Sequence, residues 1–253
     1  MNKPPYIVTG GTHGIGRACV ERLSKDAVGL VFTGRDSEAG KEIERSNHGA
    51  VFVRADAASE EDCRRVVEEA LRLGGGRIAG LVNNAGVSRR VAFSESAASD
   101  WDAVMSVNAR GVFLYTRLAL GGLLAARGSV VNISSVAGKL GEEGLAIYCA
   151  SKAAVIGLTQ ALALEFGADV RFNAVCPGQI DTRMIRRIKE QPQLHRQLEM
   201  RIPAGRFGTP QEVADVVAWL LSPQSAYVNG TVITVDGGET AGLRTPRTTA
   251  TAE

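Results

Sequence analysis

Tyr6-Ile7-Val8-Thr9-Gly10-Gly11-Thr12-His13-Gly14-Ile15-Gly16 begins as a short apolar run, passes into a glycine-rich turn and leads to a helical pattern carrying Ala18, Val20 and Leu23. A strand that runs through a glycine turn into a helix is the entry to a dinucleotide-binding βαβ unit. Glycine lets the backbone turn sharply and come close to a pyrophosphate, and the first turn of a helix offers it free N–H groups. Gly10, Thr12, His13, Gly14, Ile15 and Gly16 are therefore candidate ligand contacts. An ordinary strand-to-helix turn has the same local pattern, so the rest of the chain decides.

Further strand-like runs follow at 29–33, 50–53, 80–82, 129–133, 170–175 and 231–235, separated by helical patterns at 59–73, 100–124, 147–166 and 210–221. The segment 100–124 reads as one helix bent near Gly111, and 184–198 as a charged, helix-prone insertion. Thr209 and Pro210 suit the N-cap and first position of a helix. Strands alternating with helices predict an α/β fold, a Rossmann-type doubly wound parallel sheet of about seven strands with helices on both faces. Residues 1–238 form one domain in this reading, 183–202 a lid over the substrate, and 239–253 a mobile tail. Ligands of such sheets bind beyond the carboxyl ends of the strands. The glycine turn, Asp56-Ala57, Asn83-Asn84-Ala85-Gly86, Ser135 and Pro177–Thr182 all follow strand ends and so converge on one edge.

The 253 residues suffice for a large core, and a net charge of +2 is too mild to indicate a nucleic-acid partner. Cys19, Cys63, Cys149 and Cys176 are widely spaced, as expected of reduced thiols in a cytoplasmic protein. His13, His48 and His195 have no metal-ligand spacing, so no metal is expected. No apolar run reads as a membrane span. The first strand begins within a few residues of Met1, so no signal peptide is expected.

Tyr148 and Lys152 lie four residues apart in a predicted helix, one above the other on the same face. An ammonium one turn away favours phenolate and lowers the tyrosine's pKa, which suits a general acid/base acting on an alcohol or carbonyl oxygen. Ser135, at the end of the 129–133 strand, can polarise the same oxygen. Asn108, an amide within an apolar helix, needs a hydrogen-bonding reason to be there.

At the second strand end, Gly34-Arg35-Asp36 carries two competing signals. An acid at this place hydrogen-bonds a ribose 2′-hydroxyl, whereas an arginine accommodates a 2′-phosphate. Asp36 suits the acidic role by its distance from Gly16, and it could equally begin a helix. Gly34 leaves room for a phosphate beside Arg35.

Taken together, Thr9-Gly10-x-x-x-Gly14-Ile15-Gly16, Asp56, Asn83-Asn84-Ala85-Gly86, Asn108, Ser135, Tyr148-x-x-x-Lys152 and Pro177-Gly178-x-x-x-Thr182 resemble the classical short-chain dehydrogenases/reductases over nearly the whole chain. Within that family the chain is similar to 3-oxoacyl-acyl-carrier-protein reductases and to sugar or alcohol dehydrogenases. The resemblance implies hydride transfer between a nicotinamide cofactor and a carbonyl or alcohol. Tyr148 would be the acid/base, Lys152 would lower its pKa and hold the nicotinamide ribose, and Ser135 would bind the substrate oxygen. Asn108 would fix a water linking Lys152 to solvent. Asp56 with Ala57 would lie at the adenine, Asn83, Ala85 and Gly86 along the cofactor, and Pro177, Gly178, Ile180 and Thr182 at the nicotinamide. Gly34 and Arg35 point to NADP, with NAD as the alternative. His13 stands where members preferring NADP often carry a stronger cation, and the 166–169 connection is shorter than usual. The family also implies a homotetramer; 100–124 and 147–166 are apolar on more than one face. The competing reading from another class is a cofactor-sensing protein without turnover, which would not need Asn108, Ser135, Tyr148 and Lys152.

Overall fold

The computed structural model describes residues 3–25, 29–185 and 190–243. Seven strands, β1 (Tyr6–Val8), β2 (Leu30–Gly34), β3 (Ala50–Arg54), β4 (Gly80–Asn83), β5 (Ser129–Ile133), β6 (Arg171–Pro177) and β7 (Val232–Val235), form one sheet in the order β3-β2-β1-β4-β5-β6-β7. Every pairing is parallel. Successive strand residues point to opposite faces, and both faces are apolar, as a sheet covered on both sides requires. Val8, Phe32, Val82 and Val131 pack on one side with α1 (Gly14–Ser24) and α8 (Pro210–Leu221). Ile7, Val31, Leu81 and Val130 pack on the other with α3 (Glu60–Gly74), α5 (Gly111–Ala126) and the end of α6 (Ala146–Phe166). Each such side chain stabilises the fold by about 1.5–3 kcal/mol relative to exposure.

The remaining helices are α2 (Ser37–Ser46), α4 (Ala98–Met105) and α7 (Pro192–Arg201). Thr209 caps α8 by accepting from Glu212 N, with Pro210 at the helix's first turn. The strand order reverses between β1 and β4, so the crevice beyond their carboxyl ends is the natural ligand site.

Four expectations need correction. The 100–124 segment is two helices joined by a π-helical turn, Ser106–Arg110, which contains Asn108. Apolar periodicity hardly changes across one widened turn, which is why it read as a single bent helix. The 184–198 insertion begins as a 3₁₀ turn, Arg183–Ile185, and resumes as α7, with 186–189 outside the described residues. The start of the tail is fixed: Asp236 accepts from Gly238 N, Thr240 N and the Thr240 hydroxyl, and Glu239 is buried beside Arg201. Residues 244–253 lie outside the described residues. Finally, α6 has the length and composition to cross a membrane, although no such run was expected. It packs on β5 and β6 and carries the buried Lys152, so here it is a layer of the sheet domain.

The glycine turn generates the first prediction. A Cβ on Gly16 would sit 2.1 Å from the Gly10 carbonyl oxygen and 2.4 Å from Asn84 Nδ2. Gly16→Ala is expected to lower stability by about 1–3 kcal/mol in urea denaturation. An unchanged midpoint would mean that the turn relaxes freely.

Candidate active site

Strand β5 ends at Ile133, and the next two residues hold the start of α6. Ser134 donates to the Lys152 carbonyl at 2.8 Å, and Lys152 Nζ returns a bond to the Ile133 carbonyl at 2.8 Å. Lys152 is only 4% exposed. Its ammonium lies 5.7 Å from the centroid of the Tyr148 ring, and the Ser135 hydroxyl is near enough to the Tyr148 phenol to favour its ionised form. Ser135, Tyr148 and Lys152 thus meet at the carboxyl end of β5.

Burial pushes the Lys152 pKa down to about 8. Burial also pushes Tyr148 up to about 12, against a smaller opposing effect of Ser135. The tyrosine is half-buried by exposed area, yet enough protein surrounds its hydroxyl for desolvation to lead. The expected depression of Tyr148 by Lys152 is therefore absent from the ligand-free protein. The ammonium is directed at the Ile133 carbonyl, and loss of hydration outweighs any attraction through the ring.

Asn108 is fully buried, and its side chain is committed. Its Oδ1 accepts from Val87 N at 2.8 Å, and its Nδ2 donates to the Val87 carbonyl and to Ser151 Oγ, both at 2.9 Å. Both amide hydrogens are thus used, while Oδ1, with one donor, keeps a second lone pair. Gly86 separates Asn108 from Lys152: a Cβ there would be 3.4 Å from both Asn108 Oδ1 and Lys152 Nζ.

Asn83 points away from the crevice. Its Nδ2 donates to Thr116 Oγ1 at 3.0 Å and Asn132 Oδ1 at 2.8 Å, in a buried strip between β4, β5 and α5. Its neighbour Asn84 builds the turn, donating to the Thr9 and Gly10 carbonyls at 2.9 and 3.0 Å. Asn84, Ser134 and Ser151 were not singled out among the candidates. Their signal in the sequence was adjacency to residues that were.

The other candidates line the same edge. Asp56 forms a local turn by accepting from Ala58 N at 3.0 Å, with Ala57 buried beneath it. Ala85 N is held by Thr9 Oγ1 at 3.0 Å. Gly178 lies so close to Asp236 that a Cβ would meet its side chain at 2.6 Å. Ile180 is buried in the core and bridged to Gly208, so any ligand contact there is through its main chain. Thr182 faces the glycine turn, its methyl 3.2 Å from where a Gly14 Cβ would be. A cleft of about 530 Å³ lies there, lined by Gly14, Arg17, Thr182 and Arg183 among others, on the side of the glycine turn rather than of Tyr148.

The β2 end differs from expectation in one respect. Gly34 leaves no vacant space, because a Cβ on it would be 2.5 Å from the Thr12 side chain. Arg35 is exposed and has no hydrogen-bond or ion-pair partner among the described residues. Asp36 caps α2 by accepting from Ala39 N at 3.1 Å, and its other oxygen lies 3.4 Å from His13 Nε2.

A sequence model described as enoyl-(acyl carrier protein) reductase matches residues 10–240. The 3-oxoacyl-acyl-carrier-protein reductase of Aquifex aeolicus is 39% identical over 239 residues, covering 92% of this chain and 95% of that one. This chain belongs to the short-chain dehydrogenase/reductase family. The meso-2,3-butanediol dehydrogenase of Serratia marcescens is 36% identical over 95% of this chain and 96% of its own. The ligand-free aldohexose dehydrogenase of Thermoplasma acidophilum superposes with a TM-score of 0.88, at 29% identity, over 97% of this chain and 98% of that one.

As a short-chain dehydrogenase/reductase the protein is an oxidoreductase that acts on hydroxyl or keto groups with a nicotinamide nucleotide. The crevice fits such a cofactor. Gly10 and Gly14 have φ of 65° and 53°, which favour glycine, and a side chain on Gly14 would fill the space facing Thr182.

Lys152 gives a prediction with a defined sign. Its folded pKa of about 8 lies below the unfolded value of 10.5. The unfolded chain therefore binds more protons between those values, and ligand-free stability should rise as pH increases from about 8 to 10.5. Lys152→Met removes the buried charge but leaves the Ile133 carbonyl unpaired. The net expectation is a ligand-free protein more stable at pH 7 by about 1–2 kcal/mol, without the alkaline rise. Denaturant titrations at pH 7 and 9.5 check both; a destabilised variant would contradict the cost assigned to the ammonium.

Proposed function

We propose that this enzyme transfers hydride between NADP(H) and a ketone or secondary alcohol, with Tyr148 as the acid/base. The observation that carries the reading is the gathering of Ser135, Tyr148 and the buried ammonium of Lys152 at the carboxyl end of β5, with the ammonium 5.7 Å from the Tyr148 ring. A nicotinamide bound in the crevice would supply the hydride chemistry. Ser135 orients the substrate oxygen, and Tyr148 gives its proton to that oxygen as negative charge develops. A phenol held at about 12 keeps its proton through neutral pH, which suits it to donate in the direction of carbonyl reduction. Lys152 is placed to hold the nicotinamide ribose and to favour the phenolate once a ligand covers the site. The segment 183–202 acts as the substrate lid, and the enzyme works in the cytoplasm.

The uncommitted Arg35 favours NADP, because a guanidinium pairs two ways with a 2′-phosphate. A second reading, an NAD-dependent sugar or alcohol dehydrogenase, is favoured by Asp36, whose carboxylate lies at the same strand end. Relatives carry the names of reductases and of dehydrogenases, and one, 42% identical over 172 residues, is named as an inactive 2-(S)-hydroxypropyl-CoM dehydrogenase. Turnover is therefore the deciding measurement. A panel of 3-oxoacyl thioesters, vicinal diketones and sugars with both cofactors tests the proposal, and no turnover with any of them would favour a cofactor-sensing protein.

Tyr148→Phe keeps the ring and removes the proton. Turnover should fall by about two or more powers of ten while cofactor binding persists; comparable turnover would assign the acid elsewhere.

The outer faces of α5 and α6 leave Phe113 51% and Leu164 89% exposed. We infer a homotetramer assembled through these helices. Light scattering at micromolar concentration should return four times the chain mass, and Leu164→Glu should lower it. A monomeric wild type would refute the assembly.

A further inference from the structure

At the β2 end the proposed function uses Arg35 and Asp36 and leaves the pairing of Asp36 with His13 unused. His13 Nε2 is buried and makes no hydrogen bond among the described residues. Asp36 Oδ2 lies 3.4 Å from it, while Nδ1 lies 3.1 Å from Thr12 Oγ1. Asp36 is already tied through Oδ1 to Ala39 N, so only Oδ2 is left to answer either the imidazole or a ligand. Arg35 stands next to this pair, exposed and unpaired among the described residues.

We propose that His13 and Asp36 form a proton-linked selector for the group on the 2′ carbon of the cofactor's adenosine ribose. The proposal rests on the reading that this ribose lies at the end of β2. With His13 neutral, Asp36 keeps its full negative charge, accepts a hydrogen bond from a free 2′-hydroxyl and repels a 2′-phosphate. With His13 protonated, the imidazolium cancels the carboxylate, and Arg35 is left as the net charge of the strand end. A 2′-phosphate then meets two cations against one anion. Phosphate binding therefore takes up a proton, and preference for the phosphorylated cofactor strengthens as pH falls.

The groups facing His13 agree with a switch that rests in the neutral state. Burial holds its pKa below the usual 6.5, aided by Arg183 from the segment after β6 and by Arg17 from α1; Asp36 opposes them. Arg17 is itself engaged by Glu21 at 2.7 Å and lies 3.8 Å from Glu42. A dianionic phosphate arriving beside the ring would reverse the balance.

The test is calorimetric binding of adenosine 2′,5′-bisphosphate and adenosine 5′-monophosphate from pH 8 to pH 5.5. It uses wild type, His13→Gln, Asp36→Asn and Arg35→Ala. In wild type the preference for the bisphosphate should rise about tenfold as pH falls, with net proton uptake. In His13→Gln the rise should vanish or reverse, because a phosphate monoester gains its own proton near pH 6. Asp36→Asn keeps a good helix cap and should bind the bisphosphate more tightly across the range, with a flatter profile. The C2 proton of His13, one of three histidines, should titrate at higher pH with the bisphosphate bound and not with the monophosphate. Parallel pH profiles in wild type and His13→Gln, with bisphosphate affinity still lowered by Arg35→Ala, would overturn the selector alone. Bisphosphate affinity unaffected by Arg35→Ala would instead remove the ribose from this strand end, and the selector with it.

Discussion

A single hydrogen bond from the Lys152 ammonium to the Ile133 carbonyl sets the geometry of the site. An ammonium has three donors, and this bond uses one. Burying the charge with so few partners is unfavourable, and the surroundings hold it there regardless. Ser134 pins the Lys152 carbonyl to the strand end, Gly138 is pressed against the Lys152 backbone, and Gly86 keeps the space beside Nζ clear of a side chain. Asn108 and Ser151 tie the π turn to the same stretch of α6, since Ser151 also donates to the Tyr148 carbonyl at 2.7 Å. The sheet behind these residues supplies the stability that the site does not, an arrangement common where function requires an unfavourable local environment.

The fold was legible because its physics is periodic. Strands covered on both faces read as apolar runs, and the turn residues after them mark the ligand edge. The Thr209–Pro210 helix start was equally plain, since cap chemistry is local. The π turn was not, because one widened turn barely alters the apolar rhythm. The bend near Gly111 and the incongruous Asn108 mark the spot, and one partner of that amide, the Val87 backbone, lies twenty-one residues away.

The same contrast runs through the site. The spacing of Tyr148 and Lys152 and the strand-end position of Ser135 mark the three in the sequence, and they lie together at the end of β5. A motif names Asn83 without saying whether its side chain or its backbone faces the crevice; the pleat of β4 turns its amide inward, to Asn132, which leaves the backbone to face a ligand. Gly34 was credited with making room, when that room belongs to Thr12 from another loop. The Tyr148 pKa depends on how many atoms surround a hydroxyl, which no spacing rule encodes.

The contact between Thr12 and the Gly34 backbone also makes these two sites interdependent through an evolutionary lineage. A carboxylate at position 34 is one route to a changed cofactor habit, but it can be accepted only after position 12 has shrunk. Shrinking position 12 first takes from His13 the hydroxyl beside its ring. The fitness effect of either change is thus conditional on the other, as expected for residues in direct contact. A lineage starting from this sequence would reach new cofactor specificity more readily at Arg35, whose exposed side chain has no partner among the described residues.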